Sequence, residues 1–239
     1  MRKEIIESLI NYWRSIFFIE PILDVCFIFC FIIAILFHQK HKERLFFIVY
    51  FFSGIILFVP LRIICQILTE KQAAVLLESV NTLFELVEFI AFYYFFRRCL
   101  IGNSIIRILR LFFYCLLIIT TIFFVMLTFP GYTIHDIRAH SLFINVIEFF
   151  FLFIMCLAYY RELFTDIPVK DLFSRPSFLI VTSTFFYSIL MIPFFLIAND
   201  VRKEELILHN VLYACHYLLL IILLISISKA FLCKARITT

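Results

Sequence analysis

The chain has 239 residues, of which 64% are hydrophobic and 34 are phenylalanine, and its mean hydropathy is +1.08. A soluble domain is only about half apolar, so this chain cannot hide its apolar surface by folding on itself, and the bilayer becomes its solvent in spans of roughly 20 residues. The net charge of +4 belongs to short loops at the membrane surface and excludes nucleic-acid binding, while seven spans leave no length for a separate soluble catalytic module.

Residues 1–15, MRKEIIESLINYWRS, place Ile5, Ile6, Leu9, Ile10 and Trp13 on one helical stripe opposite the charges. This pattern predicts an amphipathic helix lying in the interface. Its apolar run is too broken for a cleaved signal. Residues 16–233 form the membrane domain, with spans expected at 16–37, 45–68, 74–96, 105–129, 140–160, 177–197 and 206–231. Residues 234–239 remain as a short tail.

Orientation follows from the basic residues. The first, third and fifth connections and the tail carry thirteen of the 21 Lys and Arg, the opposite side carries seven, and Arg62 lies inside the second span. The positive-inside rule therefore puts the N-terminus outside and the C-terminus in the cytoplasm. The fold class read from the sequence is an all-α integral membrane protein, a bundle of seven transmembrane helices, expected in a bacterial inner membrane. The eight cysteines fall in spans or at their cytoplasmic ends, so no disulfide framework is implied. Cys26 and Cys30 share a helical face and read as buried apolar thiols. Only three glycines occur and none forms a Gly-xxx-Gly pair, so packing is expected to rest on interlocking Phe, Leu and Ile.

A faint repeat runs through the odd-numbered spans. Pro21 and Asp24, Glu85 and Glu88, Asn145 and Glu148, and Asn210 and Tyr213 are each three residues apart. The second members follow one another at about one helical hairpin, and FELVEFIAFYYF matches INVIEFFFLFIM best, with Glu88 against Glu148. Internal repeats of this kind often bring shared sites together near the midplane.

Span three carries Glu78, Asn81, Glu85 and Glu88 on one narrow stripe. A carboxylate at mid-bilayer costs about 2.5–3.5 kcal/mol on insertion scales, so the stripe must face the bundle interior. Glu85 and Glu88 lie roughly 16–21 Å down the helix at 1.5 Å per residue. Candidate partners are Asp24 in span one, Arg62 beside Pro60 in span two, Asn145 and Glu148 in span five, and the stripe His209, Tyr213 and His216 in span seven. If these faces converge, acid outnumbers base, and the surplus carboxylates must be protonated or hold a cation.

Three readings compete. The acids can form a hydrogen-bonded polar core that fixes helix register. They can hold a divalent metal such as zinc, with His209 or His216 as nitrogen ligands. They can also form a pocket in the outer half for a ligand, a proton or a transported solute, with Glu88, Glu148 and His216 expected to share it. The outer connection PGYTIHDIRAH, with His135, Asp136 and His140, reads as a solvated loop.

No activity is named by motif. The last span's sole lysine is Lys229, at its cytoplasmic end, which excludes a retinal-binding rhodopsin. The third span ends in Phe96-Arg97-Arg98 where G-protein-coupled receptors carry an acidic-Arg-aromatic triplet. No Gly-x-Ser-x-Gly, His-Glu-x-x-His or phosphate loop occurs. The expectation is a ligand- or cation-binding membrane protein acting as a sensor or accessory subunit through a cytoplasmic protein partner. A metal-dependent membrane hydrolase is the alternative and a cation-coupled transporter the third.

Overall fold

A computed structural model of the protein describes residues 19–37, 45–65, 67–68, 70–100, 102–127, 134–166, 175–201 and 206–232. Among these residues there are seven helices and no strand: α1 (Ile19–Phe37), α2 (Leu45–Cys65), α3 (Glu70–Cys99), α4 (Asn103–Leu127), α5 (Ile134–Asp166), α6 (Pro176–Val201) and α7 (Leu206–Leu232). Four contain stretches long and apolar enough to cross a membrane, namely Ile105–Met126, Ala139–Phe164, Pro176–Ile197 and Val211–Leu232. Helices α1 and α2 hold shorter apolar stretches, Pro21–Phe37 and Phe46–Leu61. The interfacial helix expected over 1–15 and the tail at 234–239 lie outside the described residues.

Helices α3 and α5 run further than hydropathy predicts. Helix α3 takes up Glu70 to Ala73 and continues through Arg97 and Arg98, and α5 begins at Ile134 and reaches Asp166. Hydropathy reports what the bilayer tolerates, whereas Glu, Lys, Gln and Arg are good helix formers wherever they sit. His140, expected in a loop, is therefore an exposed residue on α5. His135 and Asp136 also fall within α5, with side chains outside the described residues.

The helix ends show why they stop where they do. Pro176 opens α6 at a position whose N–H would have no intrahelical acceptor, and the Arg175 carbonyl accepts from Phe178 N at 3.1 Å. Arg97 and Arg98 occupy the last turn of α3, where cations meet the negative end of the helix dipole. The start of α4 is capped from another helix: Glu162 Oε1 of α5 accepts from Gly102 N at 2.9 Å. A Cβ at Gly102 would come within 2.8 Å of that oxygen, so glycine permits the approach.

Six helices close a ring. Helix α1 packs on α2 and α7, α2 on α3, α3 on α5, α5 on α6, and α6 on α7, while α4 packs on α3 and α5. Ring interlock fills the interior, with Phe27 of α1 edge-on to Tyr50 at 6.1 Å and to Phe84 at 5.7 Å. The α1–α2 crossing depends on one glycine. A Cβ at Gly54 would sit 2.5 Å from Phe27 Cε1, so the absent side chain makes room for that ring.

Candidate functional site

Helices α3 and α5 run parallel and in register. Thr82 Oγ1 lies 3.5 Å from Ser141 Oγ. One turn along, the Asn145 side chain lies beside the Glu85 carboxylate. A turn further, Glu88 and Glu148 are close enough to interact electrostatically. The offsets are 59, 60 and 60 residues, which places the two similar stretches of sequence at the same depth. Phe89 and Phe151, with ring centroids 5.0 Å apart, end this polar seam. Beyond them α3 and α5 bury apolar residues, with Phe92, Phe95, Phe96, Leu152 and Met155 all buried.

Two tyrosines complete the cluster from the other helices. The Tyr50 hydroxyl of α2 donates to Glu88 Oε2 at 3.2 Å, and Tyr50 also lies within electrostatic reach of Glu148 and Tyr187. Tyr187 of α6 is within the same reach of Glu85, Glu88 and Glu148. Four helices of the ring thus contribute to one site, which lies near the middle of α3 and α5.

The site is short of hydrogen-bond donors. Glu88 is 3% exposed and Glu148 is 1% exposed, which keeps both away from lipid. Glu85 Oε2, Glu88 Oε1, Asn145 Oδ1 and Glu148 Oε1 are buried without a hydrogen-bond partner among the described residues. The electrostatic neighbours of the three glutamates, among the described residues, are other acids, with no Lys or Arg. Buried polar oxygens are nearly always satisfied, and buried charge needs a counter-charge. Such a group of acids can therefore take up protons or a cation.

The remaining sequence candidates are placed as follows. Asp24 is buried on α1, one turn before Phe27. Asn81 is half-buried on α3, one turn before Glu85, so the polar stripe grades from Asn81 to the buried Glu88. Tyr213 is half-buried and edge-on to Phe194 at 5.5 Å. The side chains of Arg62 and His209 lie outside the described residues. His216 sits in an aromatic box, stacked on Phe194 at 5.4 Å, with Phe195 and Tyr217 nearby and Tyr187 at 6.3 Å. Its Nδ1 is 3.3 Å from Met191 Sδ. Tyr187 thus has the histidine at its ring and the acids within electrostatic reach.

Among the described residues no group of three His, Cys, Asp or Glu side chains is set to hold a metal ion.

Tyr50 and Tyr187 are the site residues that sequence reasoning missed. A tyrosine in an aromatic-rich helix looks like core. The available signal is hairpin symmetry: Tyr50 and Glu88 are equally distant in sequence from Thr69, between α2 and α3.

No protein-family model matches the chain. No curated protein resembles it in sequence and no solved structure resembles it in fold at a significant level.

Proposed function

We propose that this chain is a seven-span membrane protein that binds a small monovalent cation, or a proton, at the acids of the α3–α5 seam. The observation that carries this reading is the meeting of Glu85, Glu88 and Glu148 with buried oxygens that have no hydrogen-bond partner among the described residues. In a low-dielectric interior three adjacent carboxylates cannot all remain ionised without compensation. The shortage of donors favours this over a self-satisfied polar core.

The finer placement is part of the same proposal. The N-terminus faces outside, the tail faces the cytoplasm, and the membrane is a bacterial inner membrane, with the distribution of Lys and Arg as support. The stripe from Glu78 through Asn81 to Glu88 then leads inward from the outer end of α3. The parallel register of α3 and α5 favours a helical-hairpin repeat. As a sensor or accessory subunit, the protein would reach a cytoplasmic partner through the connections at 38–44 and 167–174 and the basic end of α3.

A cation-coupled carrier is the second reading. It is favoured by the position of the acids, which lie where the group α1–α3 meets the group α5–α7. Carrier sites are commonly found at such repeat interfaces.

The test is thermal unfolding of detergent-purified protein across pH, and in Na+, K+ or Li+ chloride against choline chloride at equal ionic strength. A bound ion stabilises the folded state by mass action, so melting should respond to pH or to one alkali ion in the wild type. The response should be lost in Glu88→Gln/Glu148→Gln. Identical responses of wild type and double variant to pH and to every salt would overturn the proposal. Ion uptake by proteoliposomes then separates the carrier from the sensor.

A further inference from the structure

Of the three polar rungs that join α3 to α5, only one sets acid against acid. Thr82 meets Ser141 and Glu85 meets Asn145, whereas Glu88 meets Glu148. Contacts on both sides of this rung keep the helices close: the hydroxyls of Thr82 and Ser141 are 3.5 Å apart, and the ring centroids of Phe89 and Phe151 are 5.0 Å apart. Glu88 Oε1 and Glu148 Oε1 are both buried and without a hydrogen-bond partner among the described residues. A bound metal or alkali ion replaces its water with a shell of protein oxygens, and among the described residues no three acidic, histidine or cysteine side chains are set to hold a metal ion. A proton needs only two oxygens, and two buried carboxyl groups side by side are relieved of like charge by holding one between them.

An unused donor stands beside these bare oxygens. Tyr187 of α6 is buried, and its ring lies edge-on to Phe149, the residue after Glu148, at 5.3 Å. A buried tyrosine hydroxyl ordinarily finds an acceptor. Among the described residues the Tyr187 hydroxyl makes no hydrogen bond, although Glu85, Glu88 and Glu148 all lie within its electrostatic reach. Tyr50 shows the same arrangement with the bond made: its ring packs on Phe84, 5.2 Å away and one turn before Glu88, and its hydroxyl donates to Glu88 Oε2. The two tyrosines thus reach the acid pair from α2 on one side and from α6 on the other. The other titratable neighbours are Glu85, with Glu78 acting on it, and His216 of α7 behind the Tyr187 ring. Helix α4, which packs on both α3 and α5, brings no charged group to the pair among the described residues.

We propose that Glu88 and Glu148 hold one proton between them and that Tyr187 is the second donor of the site, bonding to Glu148 as Tyr50 bonds to Glu88. The proton passes from hydronium to the carboxylate pair, leaving water, and returns to water by the same route. The pair then carries one negative charge in place of two, and each hydroxyl meets an oxygen that the shared proton leaves free. This rests on the reading of the seam as a cation or proton site; it names the proton as the ligand and adds Tyr187 to the residues that hold it.

The test follows thermal unfolding of full-length protein in detergent across pH, in choline, Na+, K+ and Li+ chloride at equal ionic strength. The unaltered chain decides the ligand: one pH curve in all four salts is expected. Melting that responds to one alkali ion at fixed pH overturns the proton and leaves the cation reading standing, whereas identical curves for wild type and Glu88→Gln/Glu148→Gln in every condition remove both. Either single Gln variant should move the midpoint of the pH response by about one unit or more, because the proton belongs to the pair. A response halved in size at an unmoved midpoint means two independent acids and overturns the shared proton. Tyr187→Phe should move the midpoint in the same direction as Tyr50→Phe, by about tenfold in proton concentration, the usual worth of a hydrogen bond to an ionised group. Tyr159→Phe, which breaks a bond to Ser177 away from the seam, should leave the midpoint where it is. A midpoint unmoved by Tyr187→Phe, or moved equally by Tyr159→Phe, overturns the role of Tyr187.

Discussion

The Tyr50 hydroxyl donates to Glu88 Oε2 at 3.2 Å, and this bond joins α2 to the helix that carries most of the acids. Tyr50→Phe keeps the ring packing but leaves a second buried oxygen on Glu88 without a donor. A loss of about 1–3 kcal/mol is expected, the usual cost of orphaning a buried polar group. A double-mutant cycle with Glu88→Gln, read by thermal or denaturant unfolding, should show coupling above about 0.5 kcal/mol. Additive losses would mean that the bond carries no energy.

The two neighbours Glu88 and Phe89 should respond to very different degrees. Glu88→Leu removes a buried acid that has an oxygen without a hydrogen-bond partner among the described residues, but it also takes the acceptor from the buried Tyr50 hydroxyl, at a cost of about 1–3 kcal/mol. Phe89→Glu puts an acid between Phe113 at 5.7 Å and Phe151 at 5.0 Å, where aromatic packing is lost as well. We expect Glu88→Leu to be purified with a lowered melting temperature, and Phe89→Glu to be lost to aggregation. Equal yields would place the acidic seam elsewhere.

Gly54→Ala tests the α1–α2 crossing. The added methyl meets a ring that is itself locked against Tyr50, Phe58 and Phe84, so overpacking should cost about 1–3 kcal/mol. Phe27→Leu in the same chain should restore part of that loss. A melting temperature unchanged by Gly54→Ala would show that the helices move apart freely.

Orientation is checked by reporter fusions. Fusions after residues 40, 100, 168 and 236 should report cytoplasm, and those after 71, 131 and 202 the outside, as the Lys and Arg asymmetry requires. One inconsistent internal site would remove a span.

Helix existence was legible because apolar runs broken by polar connections leave few alternatives once water is excluded. The ends of α3 and α5 were not, because Glu, Lys and Arg outside the bilayer can either continue a helix or leave it. The pairing of Glu88 with Glu148 was visible in two like stretches 60 residues apart. The box around His216 was not, because stacking on Phe194 depends on how α6 rotates against α7, which hydropathy does not record. A histidine at helical spacing from a tyrosine invites a ligand reading, and only the packed rings reveal that its neighbours are aromatic.

Helices α3 and α5 run the same way while touching, so the chain must return the full length of one before beginning the other. Helix α4 is that crossover, and it makes its return outside the ring. Its lipid-facing residues, such as Leu111, Ile118 and Ile122, therefore answer only to span length and solubility in lipid. Random mutagenesis should find α4 the most permissive of the long apolar helices, with its tolerance ending at Leu109, Leu116, Thr120 and Phe123, which are buried.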